Sequence, residues 1–434
     1  MWFQQYVHLG PCNEILPGIV TNRQNLQGML NSIIRGGGKV AVGTAVGQAV
    51  ILLSTPFLAR QYSPAEFGSL ALLLTVSNIA TALACIRYDL SVSTASKAEV
   101  SSLFWVAILS AAVSSFVVIV AIGMAGILQN SAWSSPFDNI LLVGSCVLFV
   151  GIQQAVIGIM THERSYAGLG ALRFGQGGMF AVLAIFPSIG LLFAHAASFL
   201  VAVPVAVRRL VGIRVSVVEI GQAAYSRRDF PLVSLPGAVL DVIGYSACVW
   251  IMVYFYGATE TGQFSQIQRI VGAPLMLLGM SVGQVLLRTS ADAIEDRDYL
   301  TELFRKICFV AGLFGVVSIA ILSIVGEPLL HWLIGSQWRV DVEFIVPIAI
   351  AVTIRACVSP LSALLISLRR FDLALRWQFT YFVSSVTVLT MSAIKFDFEK
   401  FIIVYAIHEI FLYALYLMLI AKAIRSVKCA ESSV

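Results

Sequence analysis

Residues 62–95 read YSPAEFGSLALLLTVSNIATALACIRYDLSVSTA. Ser63-Pro64-Ala65-Glu66 has the order of a helix start: Ser63 accepts at the N-cap, Pro64 suits the first helical position, and Glu66 sits where a capping-box carboxylate belongs. From Phe67 the chain stays apolar long enough to cross a bilayer as a helix, which takes roughly 20 residues. Late in that run come Arg87 and Asp89, two charges placed where hydrocarbon is expected.

The rest of the chain has the same character. Of 434 residues 59% are hydrophobic and 12% charged, with a mean hydropathy of +0.89. Soluble domains sit near half apolar and about a quarter charged, so this is a membrane composition. Twelve apolar runs are long enough to span, at 40–60, 67–95, 101–128, 138–160, 166–186, 188–207, 232–256, 263–287, 304–326, 342–367, 374–394 and 400–422. They lack the alternation of barrel strands, and helices satisfy their own backbone in lipid. The expected fold class is an all-α polytopic membrane protein of about twelve transmembrane helices.

Basic residues orient these spans. With the N-terminus inside, 21 of the 28 lysines and arginines fall in inside segments and four outside: Arg60, Arg339, Lys395 and Lys400. Arg87, Arg269 and Arg355 lie within spans. That asymmetry predicts two cytoplasmic termini. The net charge of +5 is thus a matter of topology, and no nucleic-acid partner is expected. The first 28 residues show no signal peptide, and Met29, before LNSIIRGGGK, reads as an alternative start. GGGK at 36–39 is not a phosphate loop, because Ile33 and Val40 stand where Walker A needs Gly and Ser or Thr. Seven scattered cysteines without a CxxC read as packing residues, and His408-Glu409 lacks a second histidine at 412, which is Leu. No metal or cofactor is expected.

Part of the opening stretch recurs. Tyr62, Glu66 and Gly68 in YSPAEFGSL reappear as Tyr256, Glu260 and Gly262 in YGATETGQF, residues 256–264. Each copy lies between the first and second spans of a six-span half. Gly257 takes the cap position of the second copy, and Gly68 and Gly262 permit close helix approach. The pattern predicts an internal duplication with parallel repeats about an axis along the membrane normal. The expected organisation is a tail at 1–39, an N-lobe at 40–207, a cytoplasmic linker at 208–231, a C-lobe at 232–422 and a tail at 423–434. The linker, with its five arginines, reads as a positively charged joint.

Duplicated six-span halves without a large soluble domain suggest a transporter. Charges inside a bilayer are costly and usually face a cavity or a partner. Helical phase groups several polar residues: Thr44, Gln48 and Thr55 on the first span, and Gln266 with Arg269 on the eighth. The seventh carries Asp241, Gly244, Tyr245 and Cys248, and the twelfth Tyr405, His408, Glu409 and Tyr416. Arg87, Arg269 and Arg355, with Gln48 and Gln266, are the candidate substrate-binding residues, because guanidinium stays charged and clamps phosphate oxygens. Asp89, Asp241, His408 and Glu409 are the candidates for proton coupling. For any single one, a structural ion pair is the competing reading.

The run TPFLARQYSPAEFGSLALLLTVSNIATALACIRYDLSV resembles the N-terminal signature of Wzx-type bacterial polysaccharide or O-antigen flippases. FPLVSLPGAVLDVIGYS, GQFSQIQRIVGAPLMLLGMSVGQVL and IGSQW, with the later SPLSALL and WQF, resemble their C-terminal half. The resemblance covers about residues 40–420 and is carried at Pro56, Arg60, Tyr62, Phe67, Gly68, Arg87, Tyr88, Pro231, Gln268, Arg269, Pro274 and Pro360. Asp89 stands where many relatives have Glu. It implies the multidrug/oligosaccharidyl-lipid/polysaccharide exporter superfamily, with two six-helix lobes around a central cavity. It also implies a transporter, not an enzyme, that flips undecaprenyl-diphosphate-linked oligosaccharide across the bacterial inner membrane by alternating access. O-antigen, capsule or exopolysaccharide synthesis would be served, with membrane lipids, a polysaccharide polymerase and a chain-length regulator as partners. Two rivals stand beside it. A drug or cation exporter of the same superfamily fits three arginines badly. A membrane-embedded polysaccharide polymerase or ligase typically carries a long external loop, whereas the longest here, about 327–341, is short.

Overall fold

Apolar runs in lipid have one economical solution, the helix, and the computed structural model takes it throughout. It describes residues 43, 45–128, 140–211, 215–292, 296–368 and 370–426. The tail at 1–39, the alternative start at Met29 and Thr44 lie outside the described residues, as does the chain beyond 426. In order, the helices are α1 (45–61), α2 (Pro64–Leu83), α3 (Tyr88–Thr94), α4 (Val100–Leu128), α5 (Ile140–His162) and α6 (Tyr166–Ala184). Next come α7 (Leu191–Ser198), α8 (Val203–Val211), α9 (Val217–Ser226), α10 (Leu235–Asp292) and α11 (Arg297–Ile334). The last are α12 (Val342–Val358), α13 (Ser362–Ser367), α14 (Phe371–Lys395) and α15 (Phe398–Arg425). There is no strand among the described residues.

Eight of the described helical stretches are long and apolar enough to cross a membrane, against twelve spans expected. Much of the difference has physical causes. Gly257, at φ 84° and ψ 178°, breaks α10 into two helices that run on without a loop. Helix α6 holds five glycines and Arg173, and α14 is rich in Ser and Thr, so both are helical yet less apolar. Arg173, one of the 21 basic residues assigned to inside segments, sits mid-helix. The opposite extreme is α11, of whose most apolar window only 6% is buried. Phe309, Val316, Ile324 and Trp332 lie open on it. So large an apolar face needs lipid to cover it.

The described chain divides into two compact units. In one, running from Ser69 to Val242 with α1, α4 packs along α5, and α3 lies against both. Its cores hold Leu103, Phe104 and Val156 in one cluster and Leu73, Val147 and Phe199 in another. The joint read as a plain linker carries structure. Helix α9 starts at a capping box in which the Ser216 and Glu219 side chains each accept from the other's backbone N–H, at 3.2 and 3.0 Å. Ala223 fixes this helix to α4, Tyr88 Oη donates to the Ala224 carbonyl at 3.0 Å, and Arg227 pairs with Glu99 at 2.9 Å. That guanidinium holds the Glu99 carboxyl below its ordinary range.

The other unit joins Tyr62–Gly68 to the chain from Ile243 onwards, with α12 packed on α11 and α15, and α14 on α15. Within it the two copies of the repeated motif meet. The Ser63 N–H donates to Glu66 at 2.8 Å and the Glu66 N–H to Ser63 Oγ at 3.4 Å, which is the capping box expected from the residues. The start of α2 then crosses the second half of α10 glycine against glycine. A Cβ on Gly68 would strike the Ala258 carbonyl, and one on Gly262 the Pro64 carbonyl. Phe67 packs edge-on to Trp338 with centroids 5.2 Å apart, and Gln337 Nε2 donates to the Tyr62 carbonyl at 3.1 Å. Tyr256 of the other copy donates to the Phe396 carbonyl at 2.9 Å. Glu260 is half-buried, and Gly257, the cap position of this copy, makes a sharp turn.

Candidate functional site

Arg87 and Asp89 lie where the second apolar run stops being a helix. Residues 84–87 form turns between α2 and α3, and both Ile86 (φ 49°) and Arg87 (φ 66°) are left-handed. That conformation costs an L-residue about 1–2 kcal/mol, most for a β-branched side chain. Such strain persists where the surroundings over-determine it, often at a working site. Here Arg87 is buried, its Nε donates to Ser234 Oγ at 3.3 Å, and Asp89 is buried two residues on. The strain has a measurable sign. Ile86→Gly is expected to be about 1 kcal/mol more stable than Ile86→Ala, reversing the ordinary helix order. Thermal unfolding of the two purified variants checks it; Ala above Gly would mean residue 86 is not left-handed.

The densest polar arrangement lies in the other unit. Arg355 on α12 donates from Nη2 to Glu409 Oε2 on α15 at 2.9 Å and to Tyr381 Oη on α14 at 2.7 Å. Tyr381 in turn donates to Glu409 Oε1 at 3.0 Å, closing a ring of three groups from three helices. Tyr405 Oη lies 3.5 Å from the same nitrogen, and Tyr413 is a further neighbour of the guanidinium. The Tyr245 ring sits 5.1 Å from the guanidinium carbon, a cation–π contact. The ion pair is removed from water, with side-chain exposures of 13% for Arg355 and 1% for Glu409. Beside it His408 Nε2 shares a hydrogen bond with Ser384 Oγ at 2.9 Å. His408 Nδ1 is buried without a hydrogen-bond partner, 4.0 Å from Glu409 Oε1. An unmet buried polar atom costs about 1–3 kcal/mol, so this nitrogen is a stored demand for a partner.

The repeated motif leads into this centre. Four residues beyond the Gly257 break Thr261 Oγ1 is already tied back to the Gly257 carbonyl at 2.8 Å, and Phe264 then packs edge-on to Tyr405 at 5.4 Å. Gln268 Nε2 donates to Tyr405 Oη at 3.4 Å. Gln266, expected to bind substrate, is 1% exposed with neither amide atom bonded, and Arg269 three residues on is half-buried. Gln48, the remaining binding candidate, is exposed on α1. Asp241 is helical, and its side chain lies outside what is described.

The structure therefore brings together Arg355, expected as a binding residue, with Glu409 and His408, expected as proton carriers. The residues alone do not single out Tyr381, Tyr413 or Ser384, which join this centre beside the Tyr245 of the seventh-span stripe. A signal was available: Trp377, Tyr381 and Ser384 recur at helical spacing on α14, as Tyr405, Glu409 and Tyr413 do on α15. Among the described residues no group of three His, Cys, Asp or Glu converges on a point that could hold a metal.

Comparison with known proteins agrees with this architecture. A family described as polysaccharide biosynthesis protein matches residues 229–343, from the end of the joint through α11 to the start of α12. The lipid II flippase MurJ in its inward closed conformation superposes with a TM-score of 0.72 at 11% identity, over 88% of this chain and 87% of that one. An outward-facing multidrug resistance MATE transporter of the MOP superfamily gives 0.54 at 10% identity, over 91% and 97%. A MOP superfamily transporter from Pyrococcus furiosus, described as having a binding pocket of reverse polarity, gives 0.55 at 11%, over 90% and 96%. No curated protein sequence matches the chain. The chain is a multi-pass membrane protein with the fold of the MOP superfamily transporters.

Proposed function

We propose that this protein carries a lipid-diphosphate-linked oligosaccharide across the bacterial inner membrane, with undecaprenyl diphosphate as the carrier. The product would feed O-antigen, capsule or exopolysaccharide synthesis, with a polymerase and a chain-length regulator downstream. One observation carries the reading: a guanidinium buried among tyrosines and balanced by a single carboxylate. The two charges are not equivalent. Arginine stays protonated, whereas a carboxylate loses its charge when it gains a proton. The protonation change open to the pair thus leaves a net positive site, and a positive site selects an anion. A phosphate-bearing head group fits it; a cationic drug does not. The family match over 229–343 and the fold shared with a lipid II flippase support the same choice.

Transport moves the molecule intact, so the reading invokes no covalent step and no cofactor. The sites at Arg87 and Arg269 belong to the proposal as further anion contacts, and alternating exposure to the two faces completes it. The lobes at 40–207 and 232–422 would be the moving bodies, and both termini would be cytoplasmic. The test is leaflet transfer of labelled undecaprenyl-diphosphate oligosaccharide in vesicles carrying the purified protein. Transfer by wild type is the expected result. Export of a small cation with no transfer of any lipid-linked sugar would hand the function to the drug-exporter reading.

A further inference from the structure

Glu409 has three partners within reach and uses two of them. Its Oε2 is held by Arg355 at 2.9 Å and its Oε1 by Tyr381 at 3.0 Å. On the other side stands the unpartnered Nδ1 of His408, 4.0 Å from Oε1, its ring fixed by Ser384. A shift of about 1 Å turns that separation into a hydrogen bond. The Tyr245 ring covers the guanidinium of Arg355 and is itself exposed.

We propose that Glu409 and the diphosphate of the transported molecule compete for Arg355, so that diphosphate binding moves Glu409 onto His408 with uptake of one proton. This rests on the diphosphate reading above. A phosphate oxygen that reaches Arg355 takes the contact Glu409 now holds, and a carboxylate this deeply buried does not stay ionised without a partner. It takes one proton from solvent, shared with His408 Nδ1, and no covalent bond to carbon or phosphorus changes. The groups facing Glu409 are Tyr245 and Cys248 from α10, Arg355 from α12, Tyr381 and Ser384 from α14, and Tyr405 and Tyr413 on its own helix. Cys308 of α11 packs further along the same aromatic cluster. Arg355 is the one permanent charge among these, so its release leaves the buried Glu409 carboxylate without a cation. The coupling has a direction. Proton and diphosphate bind together and would travel together, so an inward proton gradient opposes outward transport. A negative interior, which repels the anion, favours it.

The test uses the full-length protein in detergent with farnesyl diphosphate as the probe, titrated calorimetrically between about pH 5.5 and 8, the window that brackets histidine. Wild-type affinity is expected to fall as pH rises, with one proton more in its slope than Glu409→Gln. Taking that difference cancels the probe's own titration. At the upper pH Glu409→Gln is expected to bind on the order of tenfold tighter than wild type, its competitor gone. Tyr381→Phe keeps both charges and loses the bridging hydroxyl; it is expected to bind a few-fold tighter with the wild-type slope retained. Equal slopes in wild type and Glu409→Gln would overturn the competition while leaving the diphosphate site standing. Phosphatidylglycerol reproducing the slope in place of the probe would also overturn it, by assigning the anion to bulk lipid. Wild type that binds no farnesyl diphosphate at any pH would bring down the function reading itself.

Discussion

Arg355→Ala is expected to abolish leaflet transfer and to destabilise the fold by about 3–5 kcal/mol, because it strands a carboxylate in the interior. The cost comes from Glu409, which is 1% exposed and would keep one tyrosine hydroxyl where it now has a cation as well. Stability and function separate in a double variant. Arg355→Gln/Glu409→Gln removes both charges and leaves two amides that can still hydrogen-bond, and exchange of a buried pair for neutral groups is often close to neutral. It is expected to melt within a few degrees of wild type while transfer stays down by on the order of a hundredfold, the worth of one or two charge-assisted contacts to phosphate. Thermal unfolding and vesicle transfer measured on the same preparations decide it. A double variant that transfers at the wild-type rate would make the centre a structural clasp and move the anion site elsewhere.

Arg355 and Glu409 each stood out, because a charge in an apolar run is rare and costly. Their partnership did not, since 54 positions and two helices separate them and no local pattern encodes which spans become neighbours. Tyr381 was hidden for another reason: tyrosine inside an apolar run reads as core until its hydroxyl is seen to bridge two charges. Helix α2 was plain from Ser63-Pro64-Ala65-Glu66 onward, yet its end was not. Residues 84–87 leave the helix with no Gly or Pro to announce it, and Ile86 is a residue that local propensity would never place left-handed. The kink at Gly257 is the converse, a glycine whose positive φ was legible only as a cap. Helix α9 is masked in the sequence by the charge of the joint, although Ser216 and Glu219 have the capping-box spacing.

The second large effect concerns the crossing where the repeated motif meets itself. Gly262→Ala is expected to cost about 1–3 kcal/mol, the range for overpacking, because the new methyl has nowhere to go. Its obstacles are backbone: the Pro64 carbonyl, and the Gly68 nitrogen at 2.8 Å from the built Cβ. Gly68→Ala meets the Ala258 carbonyl in the same way. Side chains can rotate aside, but a carbonyl moves only with its helix, so either methyl must push α2 and α10 apart. Once they are apart the second methyl has room. The double variant is therefore expected to cost less than the sum of the singles, as for two groups that share one contact. Gly312→Ala on α11 is the control. It meets nothing within 4 Å, so it should show only the gain of about 0.5–1 kcal/mol that alanine brings to a helix. Separation reaches the Arg355 centre as well, because Phe264 and Gln268 on the same segment of α10 brace Tyr405. Transfer by Gly262→Ala should fall more steeply than its melting temperature alone accounts for, and Gly312→Ala should transfer as wild type. If Gly262→Ala melts no lower than Gly312→Ala, the two copies do not touch through their glycines, and their likeness has another origin.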